Sequence, residues 1–165
     1  KNKAANNILD FIPDESIPAK NSAAALKVLT EIGAYHTTEE LIKLFNKSLS
    51  HDSEGILTAS IIDVLHGLAN RDISNEIKEK RSWESPFQCI RLATTEWLQD
   101  NYTPEFKGTL ITLLHDIDLE VRIAAMKALL RVSNYEQLEQ SLTDEQRIEW
   151  IEMKNSEGKN YADLS

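Results

Sequence analysis

Two His-Asp dipeptides, His51-Asp52 and His115-Asp116, are the residues whose types and order most suggest chemistry. A neighbouring imidazole and carboxylate can supply two ligands to a hydrolytic metal ion, which then activates water. A third and fourth ligand are needed. No upstream histidine or downstream aspartate sits at a plausible ligand spacing on a neighbouring helix. Both dipeptides also fall at the same phase before a helical segment, where an aspartate accepts free backbone N–H groups as a cap. Their expected role is therefore structural. The single cysteine, Cys89, excludes an internal disulfide. It lies beside an apolar helical stripe and is expected to be a small buried hydrophobe rather than an activated thiol. Trp83, Trp97 and Trp150 could stack on a base or ring, but Trp97 occupies a stripe position, where an aromatic is a core residue. His66 shares a helix face with Asp63, and His36 falls in a turn. The five glycines, at 33, 55, 67, 108 and 158, form no phosphate loop and no Gly-x-Ser-x-Gly elbow. No catalytic residue, metal or cofactor is assigned.

The elements that would carry these residues are helical. The chain has 165 residues, 5 Gly and 4 Pro, is rich in Leu, Ala, Ile, Glu and Lys, and shows no sustained period-2 alternation. Helices are expected near 3–11, 18–32, 37–49, 55–69, 72–81, 85–99, 103–114, 118–132, 134–141 and 143–155. Thr37 with Glu40, and the Thr143 segment, have the form of capping boxes. Pro18, Pro86 and Pro104 suit first helical turns, and Gly33 suits a C-terminal cap. Between Asp72 and Ser82 only Ile73 and Ile77 are available for burial, so a short, exposed helix is expected there. One domain over 1–155 and a polar tail over 156–165, with a contact through Tyr161 and Leu164, complete the reading.

The segment from Leu114 to Leu130 has the pattern L-x-D-x-D-x-x-V-R-x-x-A-x-x-A-L. Its apolar positions Val121, Ala125, Ala128, Leu129 and Val132 form one stripe at helical period. The same frame recurs in segments starting at Asn21, Leu57, Ile90 and Val121, at spacings of 36, 33 and 31. The loop recurs too: His51-Asp52 stands 64 residues before His115-Asp116, and Glu54 matches Asp118. This resembles the second helix of a HEAT repeat and the loop before it.

The resemblance implies an all-α, right-handed α-solenoid of about four HEAT-like helical pairs with acidic C-terminal capping helices. It implies a ladder between neighbouring repeats, made here by Asp52 and Asp116 with Arg91 and Arg122. Thr58 and Ser22 stand where arginine is expected, and Ser85 where aspartate is. It further implies that the second helices line a concave face. The positions left over by the stripe would then contact a partner: Lys27 and Thr30, Asp63 and His66, Glu96 and Gln99, Lys127 and Arg131. Catalytic proteins built on similar repeats fit less well. Di-iron hydroxylases use His-Glu pairs, and the chain has none. Alkylpurine DNA glycosylases need a basic face, and nothing marks the chromophore site of a bilin lyase subunit.

Charge bounds the partner. With 27 acidic and 18 basic side chains the net charge is −9, which repels a phosphate backbone. Nucleic acid is therefore an unfavoured partner and a basic protein a favoured one. No apolar run reaches membrane-spanning length. A noncatalytic protein–protein interaction module, in an adaptor, assembly or scaffold role, is the expected function. An immunity or inhibitor protein that neutralises a basic toxin or enzyme is the alternative. A cytoplasmic location is expected. A secreted or envelope-associated one stays open, because the chain begins at Lys1 rather than methionine.

Overall fold

The computed structural model describes residues 2–12, 17–69 and 73–132, and beyond these only 140, 142–144, 147, 148 and 151. Among the described residues the protein is all-helical, with no strand. The helices are α1 (Asn2–Phe11), α2 (Ala19–Glu31), α3 (Thr38–His51), α4 (Ile56–Gly67), α5 (Ser74–Lys80), α6 (Gln88–Asp100), α7 (Lys107–Leu113) and α8 (Leu119–Val132). Short 3-10 turns at Tyr35–Thr37, Ser82–Glu84 and Pro104–Phe106 precede α3, α6 and α7. The expected helices at 134–141 and 143–155, the tail over 156–165 and Trp150 lie outside the described residues, scattered positions apart.

The repeating stripe decides the packing. Helix α2 packs on α4, α4 on α6 and α6 on α8, so these four form a row in which each touches the next. Helices α3 and α7 lie against α4 and α8, and the Ser82–Glu84 turn lies against α6. Helix α4, with neighbours on three sides, buries Thr58, Ala59, Ser60, Ile61, Ile62, Val64 and Leu65. A helix so enclosed has to be apolar nearly all round, as this one is. In α8 the stripe Val121, Ala125, Ala128 and Leu129 is buried together with Ala124 and Met126. Its expected last member, Val132, is instead 37% exposed.

Small residues set the helix spacing. At Gly67, a Cβ would stand 2.7 Å from Thr30 Cγ2, so the missing side chain is what lets α2 and α4 approach at that point. Trp97 is buried and meets Phe106 edge-on at 6.4 Å between ring centroids, and Trp83 meets the same ring at 6.2 Å. Such pairs contribute about 0.5–1.5 kcal/mol each beyond area burial. Both tryptophans therefore belong to the packing.

Helix ends follow local chemistry, with two departures from expectation. Gly33 adopts φ +64 after α2, and Ala34 N–H closes the end on Leu29 O at 2.9 Å. Thr37 does not cap α3: its hydroxyl donates to Ala34 O at 2.7 Å, so the hydroxyl closes the preceding 3-10 turn. Pro86 does not open α6 either. Ser85 Oγ accepts Phe87 N–H at 3.2 Å, Phe87 is extended, and the helix begins at Gln88. Helix α5 is short, with Ile73 and Ile77 fully buried, and ends where Arg81 takes a left-handed conformation.

Candidate functional site

The row α2–α4–α6–α8 presents one charged strip. Lys27, Asp63, Glu96 and Lys127 hold the same repeat position on the four helices, and all four are exposed. Asp63 is open to solvent, yet the surrounding protein desolvates it. That desolvation, followed by the charge of Glu96, pushes its carboxyl above the ordinary aspartate value, while His66 and Lys27 oppose the shift. Lys27 and Glu96 are thus each within electrostatic reach of Asp63, though among the described residues no ion pair joins them. Among the described residues no salt bridge uses Lys127 either.

One turn further along the helices the charges are paired. His66 Nε2 lies 2.9 Å from Asp100 Oδ2, and Arg131 donates to Asp100 Oδ1. The His66 hydrogen bond is the largest influence holding the Asp100 carboxyl below its usual range; burial opposes it and Arg131 supports it. Asp100 therefore ties α4 to α8 across the end of α6. Of the expected partner-binding residues, His66 and Arg131 are brought together through Asp100, which sequence reasoning did not single out. Gln99 and Thr30 are half-buried beside them.

The expected ladder residues divide into one closed rung and two open ones. Arg91 grips Asp116 with both arms, Nε to Oδ2 at 2.7 Å and Nη2 to Oδ1 at 2.9 Å, and also donates to Asp118 Oδ2 at 2.5 Å. Its Nη1 donates to Ser85 O at 2.8 Å. The hydrogen bond with Asp116 is the main cause raising the Arg91 pKa, against burial. On Asp116 burial is the largest influence and pushes upward, but Arg91 and the Asp118 N–H outweigh it and hold the carboxyl low. Arg122 makes no rung: it donates to Asp116 O and Ile117 O of its own loop, at 2.7 and 3.1 Å. Asp52 makes none either, and accepts Thr58 N–H at 2.8 Å as a cap on α4.

These contacts account for three of the four residues of the His-Asp dipeptides. Asp52 is a cap, Asp116 an ion-pair partner, and His51 Nδ1 lies 3.0 Å from Lys47 O. Among the described residues no three His, Cys, Asp or Glu side chains gather as a metal site requires. Cys89 is half-buried rather than buried, with Sγ 3.6 Å from Glu54 O, and burial pushes its thiol pKa up, away from the nucleophilic thiolate. No described helix is long and apolar enough to cross a membrane.

No protein-family model matches the chain, and no curated protein matches it.

Proposed function

We propose that this chain is a noncatalytic protein–protein interaction module, with an adaptor, assembly or scaffold role. In this reading it is built as a right-handed HEAT-like α-solenoid and binds through the face shared by α2, α4, α6 and α8. One observation carries the proposal: four charged side chains at one repeat position, Lys27, Asp63, Glu96 and Lys127, stand exposed on four successively packed helices, with no salt bridge to any of them among the described residues. A fold that needed these charges for its own stability would pair them, as it pairs His66, Asp100 and Arg131. The central carboxylates suit a basic patch on the partner, and the net charge of −9 disfavours nucleic acid.

The test is capture of partners by the parent chain and by an Asp63→Lys, Glu96→Lys double variant, at low and moderate salt. The expected result is a basic protein held by the parent, released as salt rises, and lost from the variant while its melting temperature holds. Equal capture by both chains removes the face from the proposal.

The same acidity favours a second reading, an immunity or inhibitor protein that covers a basic toxin or enzyme. It requires that the captured partner be an enzyme whose activity falls in proportion to the amount of added chain. A partner that stays fully active in the complex rules it out.

A further inference from the structure

The junctions between successive helical pairs are filled differently, and the difference leaves cavities. At the α6–α8 junction Arg91 occupies the space and binds Asp116, with both side chains 8% exposed. The corresponding position on α2 is Ser22, which is 2% exposed, and the carboxylate corresponding to Asp116 is Asp52. A cavity of about 420 Å³ lies here, and both Ser22 and Asp52 are on its wall. At the α4–α6 junction the corresponding residues are Thr58 and Ser85, and again a cavity, of about 460 Å³, is lined by both. Where a small hydroxyl stands in place of arginine, a cavity lies beside it, although Ser22 and Thr58 are themselves 2% and 0% exposed.

The two open junctions differ in chemistry. At the second, both ladder positions are neutral. At the first, the carboxylate is kept and only the cation is missing. The carboxylate meets its own loop in a related way: Asp52 Oδ1 accepts Glu54 N–H at 3.4 Å, as Asp116 Oδ1 accepts Asp118 N–H at 2.9 Å, but the Asp52 loop runs one residue further, through left-handed Gly55, and Asp52 Oδ2 also accepts Thr58 N–H. The wall beyond Asp52 includes Leu44, Leu57 and Ile12, which suit an aliphatic stem. Among the described residues on the wall, the ammonium of Lys47 is exposed, so water screens it, whereas Asp52 is half-buried.

We propose that this cavity is a receptor for an arginine side chain of a partner protein. The guanidinium seats on Asp52 as Arg91 seats on Asp116, and the stem lies along Leu44 and Leu57. The fork geometry of a guanidinium matches a carboxylate better than an ammonium does. The site is built from α2, α3 and the loop into α4, not from the Lys27–Lys127 strip, so failure at either place leaves the other standing.

The test is titration of the isotope-labelled chain with N-acetyl-arginine-methylamide, read by amide chemical shifts and by melting temperature. Saturable shifts at Ser22, Asp52 and Thr58 are expected, with a rise in melting temperature. The citrulline analogue, alike in shape but uncharged, and the lysine analogue should bind at least about tenfold more weakly. Asp52→Asn should lose the response, but it also gives up one of the two oxygens that accept the Glu54 and Thr58 N–H groups. Ser22→Arg is therefore the deciding variant: it supplies the guanidinium from within, so it should melt higher than the parent and no longer bind the probe. Absence of saturable shifts, equal binding of the citrulline analogue, or undiminished binding by Ser22→Arg would each overturn the proposal.

Discussion

Arg91 and Asp116, 25 positions apart in the chain, face each other fork to fork, with Nε–Oδ2 and Nη2–Oδ1 distances of 2.7 and 2.9 Å. Asp116 also accepts the backbone N–H of Asp118. One carboxylate thus closes the turn into α8 and fastens that turn to α6. The geometry matters because both side chains are nearly buried: an ion pair in this setting costs much to desolvate and cannot lose a single partner cheaply.

Arg91→Ala should therefore cost roughly 3–5 kcal/mol at neutral pH, since it strands Asp116 without its cation. The pH dependence has a definite sign. The folded pKa of Asp116 is lowered, so its contribution is present above the unfolded value of about 3.9 and is lost as pH falls through the folded value. The gap between parent and Arg91→Ala should be wide at pH 7 and should begin to narrow below about pH 4, closing as pH falls through the folded value of Asp116. Urea unfolding at both pH values measures it; a gap independent of pH would show that packing, not charge, makes the rung.

Gly67→Ala tests the α2–α4 contact. In an open helix this change is worth about 1 kcal/mol of added stability. Here the new methyl would meet Thr30 Cγ2 at 2.7 Å, so the sign should reverse, to a loss of about 1–3 kcal/mol. Thr30→Ser removes the opposing methyl and should recover much of the loss in the double variant. Additive effects in that cycle would place the cost elsewhere than in this contact.

Much of this arrangement can be read from the sequence because it repeats. The stripe Val121, Ala125, Ala128 and Leu129 declares its buried face at helical period, although the same period takes in the exposed Val132, and the resemblance to a HEAT repeat names both Arg91 and Asp116 as ladder residues. What escapes the sequence is what does not repeat. Asp100 binds residues 34 and 31 positions away, and its counterpart one repeat earlier is Gly67, so no frame marks it. The Thr37–Glu40 spacing looks like a cap, but the Thr37 hydroxyl finds a nearer acceptor in Ala34 O. The cavity beside Asp52 depends on a volume left by Ser22, which a pattern of residue types does not measure.

Ala125 lies in the α8 stripe and is fully buried. Ala125→Glu would place a carboxylate among apolar neighbours with no partner, at a cost of several kcal/mol. Loss of the cooperative thermal transition, or a large fall in its midpoint, is the expected readout. A variant that melts like the parent would mean that α8 turns a different face to the core.

Asp63 makes the opposite prediction, and it bears on function. Its folded pKa is raised, by desolvation first and by Glu96 second. A carboxyl raised on folding is destabilising while ionised, and the penalty disappears once pH falls below the unfolded value of about 3.9. Asp63→Asn should therefore melt somewhat above the parent at pH 7 and level with it at pH 3. The gain is small because the side chain is exposed and screened. A residue that folding would be better without has its use elsewhere, and a cationic partner group placed between Asp63 and Glu96 would relieve both carboxylates together. If Asp63→Asn instead melts below the parent at pH 7, Asp63 serves the fold and the strip loses its central contact.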